Sequence, residues 1–159
     1  MNPAETPYTP YTVSPIPPAV LESLRTTDDA GRPVHPYPDP EGDAPLRCCL
    51  RDSGKGERIA LITYAPLRRW ARDPGAYDEQ GPVFIHATTC EGPADPSPAF
   101  TGNHRVLRRY SAAGHIIGGE LVGEDFDGAL RRAFTDPDVA QVHVRSVVYG
   151  CFLYAVERA

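Results

Sequence analysis

The residues best suited to chemistry lie near the C-terminus, in a segment that alternates apolar and polar side chains. Val142 and Val144 alternate with His143 and Arg145, which is the two-residue period of a β-strand with two unlike faces. Gly150 is suited to a tight reversal with the residue before it, because glycine accepts the positive φ of short hairpin loops. The segment 141–157 is therefore predicted to be a β-hairpin with its loop at residues 149–150.

A two-residue loop at that point places Tyr154 opposite Arg145, and directly opposite residues share a face. One exposed face is therefore predicted to carry four functional side chains: His143, Arg145, Phe152 and Tyr154. The planar guanidinium of arginine suits carboxylate or phosphate, and histidine can exchange a proton near neutral pH. The leading hypothesis is a binding site for a small anionic molecule on His143, Arg145 and Tyr154, extended by His86 from a neighbouring strand.

Two other interpretations of this face stay open. It is equally consistent with a plain solvent-facing surface on which Arg145 stacks over Tyr154. Aromatic side chains beside arginine are also typical of protein interfaces, which predicts a homodimerisation surface around Phe152 and Tyr154. No nucleophile–base–acid spacing is recognisable, so Cys49 and His143 are catalytic candidates without an assigned reaction, and whether the protein is an enzyme stays open.

Cys49 supports a hypothesis of a different class. On a strand over residues 46–51, Arg47 and Arg51 would lie on the same face as Cys49 and stabilise its thiolate, which lowers the pKa of a thiol. A thiol-dependent enzyme or redox protein is therefore the alternative function. The simpler interpretation is a half-buried Cys49 whose neighbouring arginines pair with acidic residues. Cys48 is predicted to lie in the core.

The four cysteines also allow a metal site to be considered. His86, Cys90, His143 and Cys151, with Cys49 as a further ligand, are residue types that bind zinc. However, the sequence contains no C-x-x-C pair, and the predicted hairpin turns Cys151 away from His143. No cofactor is therefore predicted, although zinc is not excluded.

Length and composition exclude several classes of protein. A chain of 159 residues with 41% hydrophobic and 23% charged residues is typical of one globular domain. Its net charge of −5 argues against nucleic-acid binding. No apolar stretch approaches the length of a membrane span, and the N-terminus lacks the features of a signal peptide. The protein is therefore expected to be cytoplasmic, with free thiols and no membrane partner.

The fold class predicted from the pattern is α+β. Residues 1–45 hold most of the 18 prolines and are predicted to be a proline-rich arm with one short helix over 19–25. Residues 46–159 are predicted to form a single domain, a mostly antiparallel sheet of about six strands. One main helix over 125–134 would pack on one face of this sheet. The predicted strands cover 46–51, 58–64, 81–88, 104–110, 114–122 and the hairpin.

Several short stretches of the chain resemble a known family. They are residues 45–52, 56–64, 81–85, 106–108, 134–137, 142–144, 150–152 and 156–158. In this order and spacing they resemble the uncharacterised bacterial domain-of-unknown-function family 1203, over roughly residues 45–159. The resemblance implies no activity, cofactor or site residue, so the hypotheses above depend on the residues alone.

Overall fold

A computed structural model of the protein describes residues 9–94 and 104–159. The strands and helices are β1 (Tyr11–Ser14), α1 (Pro18–Leu24), β2 (Tyr37–Pro38), β3 (Pro45–Leu46), β4 (Arg51–Asp52), β5 (Arg58–Tyr64), β6 (Gly81–His86), β7 (Arg105–Tyr110), β8 (Ile116–Val122), α2 (Phe126–Ala133), β9 (Gln141–Ser146) and β10 (Phe152–Arg158). The ten described strands form two five-stranded sheets. Sheet I has the order β1-β10-β9-β7-β8, and sheet II has the order β2-β5-β6-β3-β4.

The mostly antiparallel character of the sheets agrees with the prediction, but the single sheet of about six strands is wrong. Among the described strands, only β3 and β6 pair in parallel. Two strands, β1 and β2, lie in the proline-rich segment, where the sequence pattern predicts none. Pro10 and Pro15 flank β1, and β1 lies at the edge of sheet I beside β10, where a missing backbone donor is tolerated. The predicted arm is thus partly a strand, and its residues 1–8 lie outside the described part.

The segment predicted as a strand over 46–51 is also different. Residues 47–50 form a turn between the short strands β3 and β4, and the backbone N–H of Leu50 donates to the carbonyl of Leu46 at 2.9 Å. Leu50 has a positive φ of 57°, in the left-handed region that non-glycine residues rarely adopt. The alternation of apolar residues in this stretch imitates a strand, although the backbone reverses there.

The helix predicted over 125–134 corresponds to α2. The side chain of Asp125 accepts a hydrogen bond from the backbone N–H of Gly128 at 3.2 Å and caps the first turn. Ala129, Leu130 and Ala133 belong to the same apolar cluster as residues of β7, β9 and β10. Because β8 and β9 are both antiparallel to β7, they run parallel to each other, and α2 forms the crossover between them.

Neither described helix could cross a bilayer, since α1 has seven residues and α2 has eight.

Two apolar clusters cover sheet I from its two faces. Val142, Val144 and Val156 contribute to the cluster that contains α2. Phe152 belongs to the other cluster, with residues of sheet II and α1. The strand pair β9 and β10 is therefore enclosed, and neither face of it is an open surface. This arrangement decides where the candidate site residues lie.

Candidate functional site

The loop of the final hairpin is longer than predicted, and the register of its two strands is different. Phe152 pairs with Arg145, and Tyr154 pairs with Val144, with an irregularity in the register between these two pairs. The backbone N–H of Ser146 donates to the carbonyl of Cys151 at 3.0 Å and closes a loop over residues 147–150. The predicted two-residue loop is wrong. As a result, Tyr154 lies in the apolar cluster with Val144 and does not share a face with Arg145.

His143 is completely buried in an aromatic environment. Its ring centroid lies 4.5 Å from that of Tyr110, 5.1 Å from that of Phe152 and 6.1 Å from that of Trp70. Nε2 of His143 lies 2.9 Å from Oε1 of Gln141, while Nδ1 has no hydrogen-bond partner among the described residues. Burial lowers the pKa of His143 to about 3, so the imidazole is neutral at physiological pH.

The predicted exposure of this face is therefore wrong. Trp70 contacts His143 from the connection between β5 and β6, and its indole N–H is fixed to the carbonyl of Pro66 at 2.8 Å. Phe152 and Tyr154 are also buried, so they do not offer the exposed aromatic surface on which the homodimer hypothesis depended. Of the predicted anion site, Arg145 lines a cavity to which His143, Tyr154 and His86 do not contribute.

That cavity, called the interface cleft below, lies between the two sheets and has a volume of about 710 Å³. Apolar side chains contributed by both sheets and by the connection after β5 form most of its wall: Leu61, Tyr64, Pro66, Pro82, Phe84 and Phe152. Its polar groups come mainly from Arg47, Glu79, Gln80 and Arg145. The size and the apolar lining with a few polar groups are typical of small-molecule sites.

Arg145 is held at the cleft by backbone and side-chain contacts. Its side chain donates to the carbonyl of Gly150 at 2.9 Å and forms an ion pair with Glu79. Only 7% of Arg145 is exposed, and its Nε is buried without a hydrogen-bond partner among the described residues. Burial holds the pKa of this guanidinium below its ordinary value.

Arg47 is a second buried guanidinium at the cleft, with 2% of the residue exposed. It donates to the carbonyl of Phe152 at 2.8 Å and to the carbonyl of Pro45, and its Nη2 lies 3.4 Å from Sγ of Cys151. Among the described residues, no carboxylate pairs with Arg47. Arg47 was predicted to lie beside Cys49 on one face of a strand, but the 47–50 turn directs the two side chains to different surroundings.

A separate group of thiol and imidazole side chains, called the cysteine cluster below, lies at the end of β6. It consists of Cys48, Cys49, His86 and Cys90, whose ligand atoms all lie within 4.8 Å of one another. Nδ1 of His86 is 3.2 Å from Sγ of Cys48 and 3.8 Å from Sγ of Cys49. The 47–50 turn brings both adjacent cysteines to the same histidine, and residue 90 follows β6 by only a short connection.

The other ring nitrogen of His86 is bound by an acidic group. Nε2 of His86 lies 2.7 Å from Oε2 of Glu57, and Arg51 pairs with both oxygens of Glu57 at 2.9 and 3.2 Å. Hydrogen bonds from Arg51 and from the backbone of Gly54 lower the pKa of Glu57 to about 2. Glu57 is therefore ionised and favours the tautomer of His86 that carries its proton on Nε2.

The two adjacent thiols differ in acidity. A hydrogen bond from Cys48, together with the nearby His86 and Arg51, lowers the pKa of Cys49 below that of an ordinary thiol. The same hydrogen bond and burial raise the pKa of Cys48. The sequence also predicted a contribution from Arg47, but the Arg47 side chain lies beside Phe152 and Cys151.

The cluster differs from the ligand set that the sequence suggested. His143 and Cys151 lie elsewhere, at the aromatic core and beside Arg47 respectively, whereas Cys48 joins the group. Cys48 was missed because it alternates with leucines and looked like a core residue, and it is indeed buried. The signal available in the sequence was the short spacing from His86 to Cys90.

Comparison with known proteins gives a family and no closer relative. Neither the curated proteins nor the solved structures include a significant match to this chain. One family model matches residues 43–158, which agrees with the resemblance that the sequence motifs predicted. The chain belongs to the family described as "Protein of unknown function (DUF1203)".

Proposed function

We propose that the protein binds a small amphipathic anion, with an acidic head group and an apolar body, in the interface cleft. The observation that supports this proposal best is the buried Arg145, whose Nε has no partner among the described residues, at the wall of an apolar cavity of about 710 Å³. A buried guanidinium that is not fully compensated is costly, and the oxygen of a carboxylate or phosphate beside it in the cleft would supply negative charge.

The balance of charge around the cleft favours an anion. Arg145 and Arg108 share the single carboxylate of Glu79, and Arg47 has no acidic partner among the described residues. Buried guanidinium groups normally have compensating negative charge, because removing them from water is unfavourable. A bound anion would supply this charge in a chain whose overall net charge is −5.

The remaining wall of the cleft favours an apolar body. Leu61 on β5 is 52% exposed and lies opposite Phe84 on β6, so two large apolar side chains face the opening. Covering apolar surface of this kind contributes about 25 cal/mol for each Å² removed from water. A ligand that is only an anion, such as free phosphate, would leave this surface uncovered.

The proposal is tested by calorimetric titration of the full chain with decanoate and with decan-1-ol, which has the same chain length and no charge. Because a hydrogen bond to a charged group contributes about 1.5–3 kcal/mol, decanoate is expected to bind at least about tenfold more tightly. Equal affinity for the two probes, or no binding of decanoate, would contradict the proposal.

A variant pair locates the binding. Leu61→Glu places a carboxylate at the opening of the cleft and is expected to abolish decanoate binding, whereas Ile117→Glu is the matched control. Ile117 is 44% exposed on β8 and does not line the cleft. Arg145→Ala is expected to remove the preference for decanoate over decan-1-ol. Equal losses in the Leu61 and Ile117 variants would exclude this cleft as the binding site.

A further inference from the structure

We infer that the cysteine cluster is a zinc site in which Sγ of Cys48, Cys49 and Cys90 and Nδ1 of His86 bind one ion. The inference is independent of the proposed anion site, because the two sets of lining residues share no member. It depends on the separation of the ligand atoms, on the chemistry of the donors and on the groups that surround them.

The separations fit a tetrahedral ion. With Zn–S distances of about 2.3 Å and a Zn–N distance of about 2.0 Å, tetrahedral ligand atoms lie about 3.5–3.8 Å apart. In the structure Nδ1 of His86 lies 3.2 and 3.8 Å from the sulfur atoms of Cys48 and Cys49, and all four ligand atoms fall within 4.8 Å. Small side-chain rotations are therefore enough to complete the coordination.

The donor set selects zinc among the common divalent ions. Three thiolates and one imidazole are soft ligands, which disfavours magnesium and calcium, and a set of three cysteines and one histidine is typical of structural zinc sites. Four protein ligands leave no open position for water. The site is therefore expected to stabilise the fold and not to hydrolyse a substrate.

Glu57 and Arg51 form the layer around the ligands that such a site requires. A zinc-binding histidine usually donates its second ring N–H to a carboxylate, and Nε2 of His86 lies 2.7 Å from Glu57. With the proton on Nε2, Nδ1 presents a lone pair toward the sulfur atoms. Arg51 holds Glu57 through two contacts and supplies positive charge next to the thiolates.

Backbone N–H groups also point at the sulfur atoms. The N–H of His86 donates to Sγ of Cys48 at 3.3 Å, and the N–H of Gly92 donates to Sγ of Cys90 at 3.5 Å. Gly92 has a φ of 87°, a conformation that glycine adopts without strain, and this turn directs its N–H back to the sulfur. Such hydrogen bonds favour thiolate over thiol and so prepare the cysteines to bind a cation.

A zinc ion here would join three separate parts of the chain. Cys48 and Cys49 lie in the 47–50 turn, His86 ends β6, and Cys90 lies in the connection that follows. Within its described residues, that connection contains no strand or helix, and its first residue is held to sheet II by the backbone hydrogen bond from Ala87 to Arg58. Binding of the ion is therefore expected to fix residues 87–90 against sheet II.

The test uses the full chain purified without a metal-affinity column. Zinc is measured by elemental analysis and native mass spectrometry, and the zinc-free protein is then titrated with Co²⁺. One zinc per chain is expected, together with the visible bands of tetrahedral cobalt and a near-ultraviolet thiolate-to-cobalt charge-transfer band. Absence of zinc together with a cobalt spectrum that lacks the thiolate band would overturn the inference.

The fourth cysteine supplies a matched control. Cys90→Ser is expected to weaken the charge-transfer band and to lower zinc affinity by more than the roughly 10–100-fold typical of changes beyond the direct ligands. Cys151→Ser is expected to leave both unchanged, because Cys151 lies beside Arg47. Equal effects of the two substitutions would overturn the assignment.

The alternative to a zinc site is that the cluster contains a redox-active thiol pair centred on Cys49. It predicts a metal-free protein whose mass is lower by two hydrogen atoms and is restored by a reductant. It also predicts rapid alkylation of Cys49 that added zinc does not prevent. Either result would overturn the zinc site in favour of a redox role for the thiols. Protection of Cys49 from alkylation by added zinc would support the inference. None of these outcomes depends on the decanoate titration, so the two proposals can fail separately.

Discussion

The two strand histidines, His86 and His143, lie in opposite environments. His86 is partly exposed at the end of β6, and both of its ring nitrogens face polar groups, a carboxylate on one side and thiols on the other. His143 is fully buried in β9, surrounded by aromatic rings, and only its Nε2 has a polar partner. The comparison shows that the partners of the ring nitrogens, and not the residue type, separate a candidate ligand from a core side chain.

The largest effect is expected from the aromatic group around His143. Phe152→Ala removes a buried ring that packs against Tyr64 and His143, with centroid distances of 5.5 and 5.1 Å. Such a change typically lowers the free energy of unfolding by about 3–5 kcal/mol. Urea denaturation of the variant measures the loss.

The control is Tyr149→Ala in the same hairpin. Because 85% of Tyr149 is exposed, its replacement is expected to change the free energy of unfolding by less than about 0.5 kcal/mol. Zinc content should stay the same in both variants. A small effect of Phe152→Ala, or a loss of zinc with it, would contradict the separation of the two regions.

The second prediction concerns pH. Burial lowers the pKa of His143 from 6.5 to about 3, so below pH 6.5 the unfolded chain binds a proton that the folded protein excludes. The stability associated with neutral His143 is therefore complete above pH 6.5 and is lost as the pH falls toward 3. Each pH unit in this window corresponds to about 1.4 kcal/mol, or about 3 kcal/mol between pH 7.5 and pH 4.5.

The measurement is urea denaturation of the wild type and of His143→Gln across this pH range. The free energy of unfolding of the wild type should fall relative to that of the variant as the pH falls, because glutamine does not titrate. His35→Gln, at an exposed loop position, is the control and should follow the wild type. A constant difference between wild type and His143→Gln would show that His143 does not resist protonation.

The local elements of this fold were predictable, since they depend on patterns within each segment. The predicted strand at 58–64 coincides with β5, and the apolar spacing from Phe126 to Phe134 marked α2. The cover over His143 was not predictable, because it comes from Trp70 in a connection with no regular period. An enclosed strand and a half-exposed strand can have the same alternation when the buried face accepts polar residues.

The candidate sites depend on contacts between distant segments. Arg47 and Arg145 come together because sheet II packs near the final hairpin, and nothing in their own neighbourhoods indicates this. The cysteine cluster depends on the turn at 47–50, where Leu50 has a positive φ without being glycine or asparagine. Its sequence therefore gave no turn signal, and Cys48 and Cys49 were assigned to opposite faces of a strand.

The smallest effect is expected from Glu57, which contacts His86 and not the proposed ion. Glu57→Gln keeps the size of the side chain and removes its charge, so it weakens the hydrogen bond that orients Nδ1 toward the thiols. Zinc affinity is expected to fall by about tenfold or somewhat more, which is about 1.4 kcal/mol for each factor of ten. Competition with a chromogenic zinc chelator measures this change.

Glu120→Gln is the matched control, because Glu120 also pairs with an arginine but lies in β8, away from the cluster. It should bind zinc with wild-type affinity. If Glu57→Gln also retained wild-type affinity, the contact with His86 would be incidental and the analogy with oriented zinc ligands would fail. The expected result is a loss of zinc affinity in Glu57→Gln and wild-type affinity in His143→Gln. It would show that a polar partner on the second ring nitrogen distinguishes the ligand histidine from the core histidine.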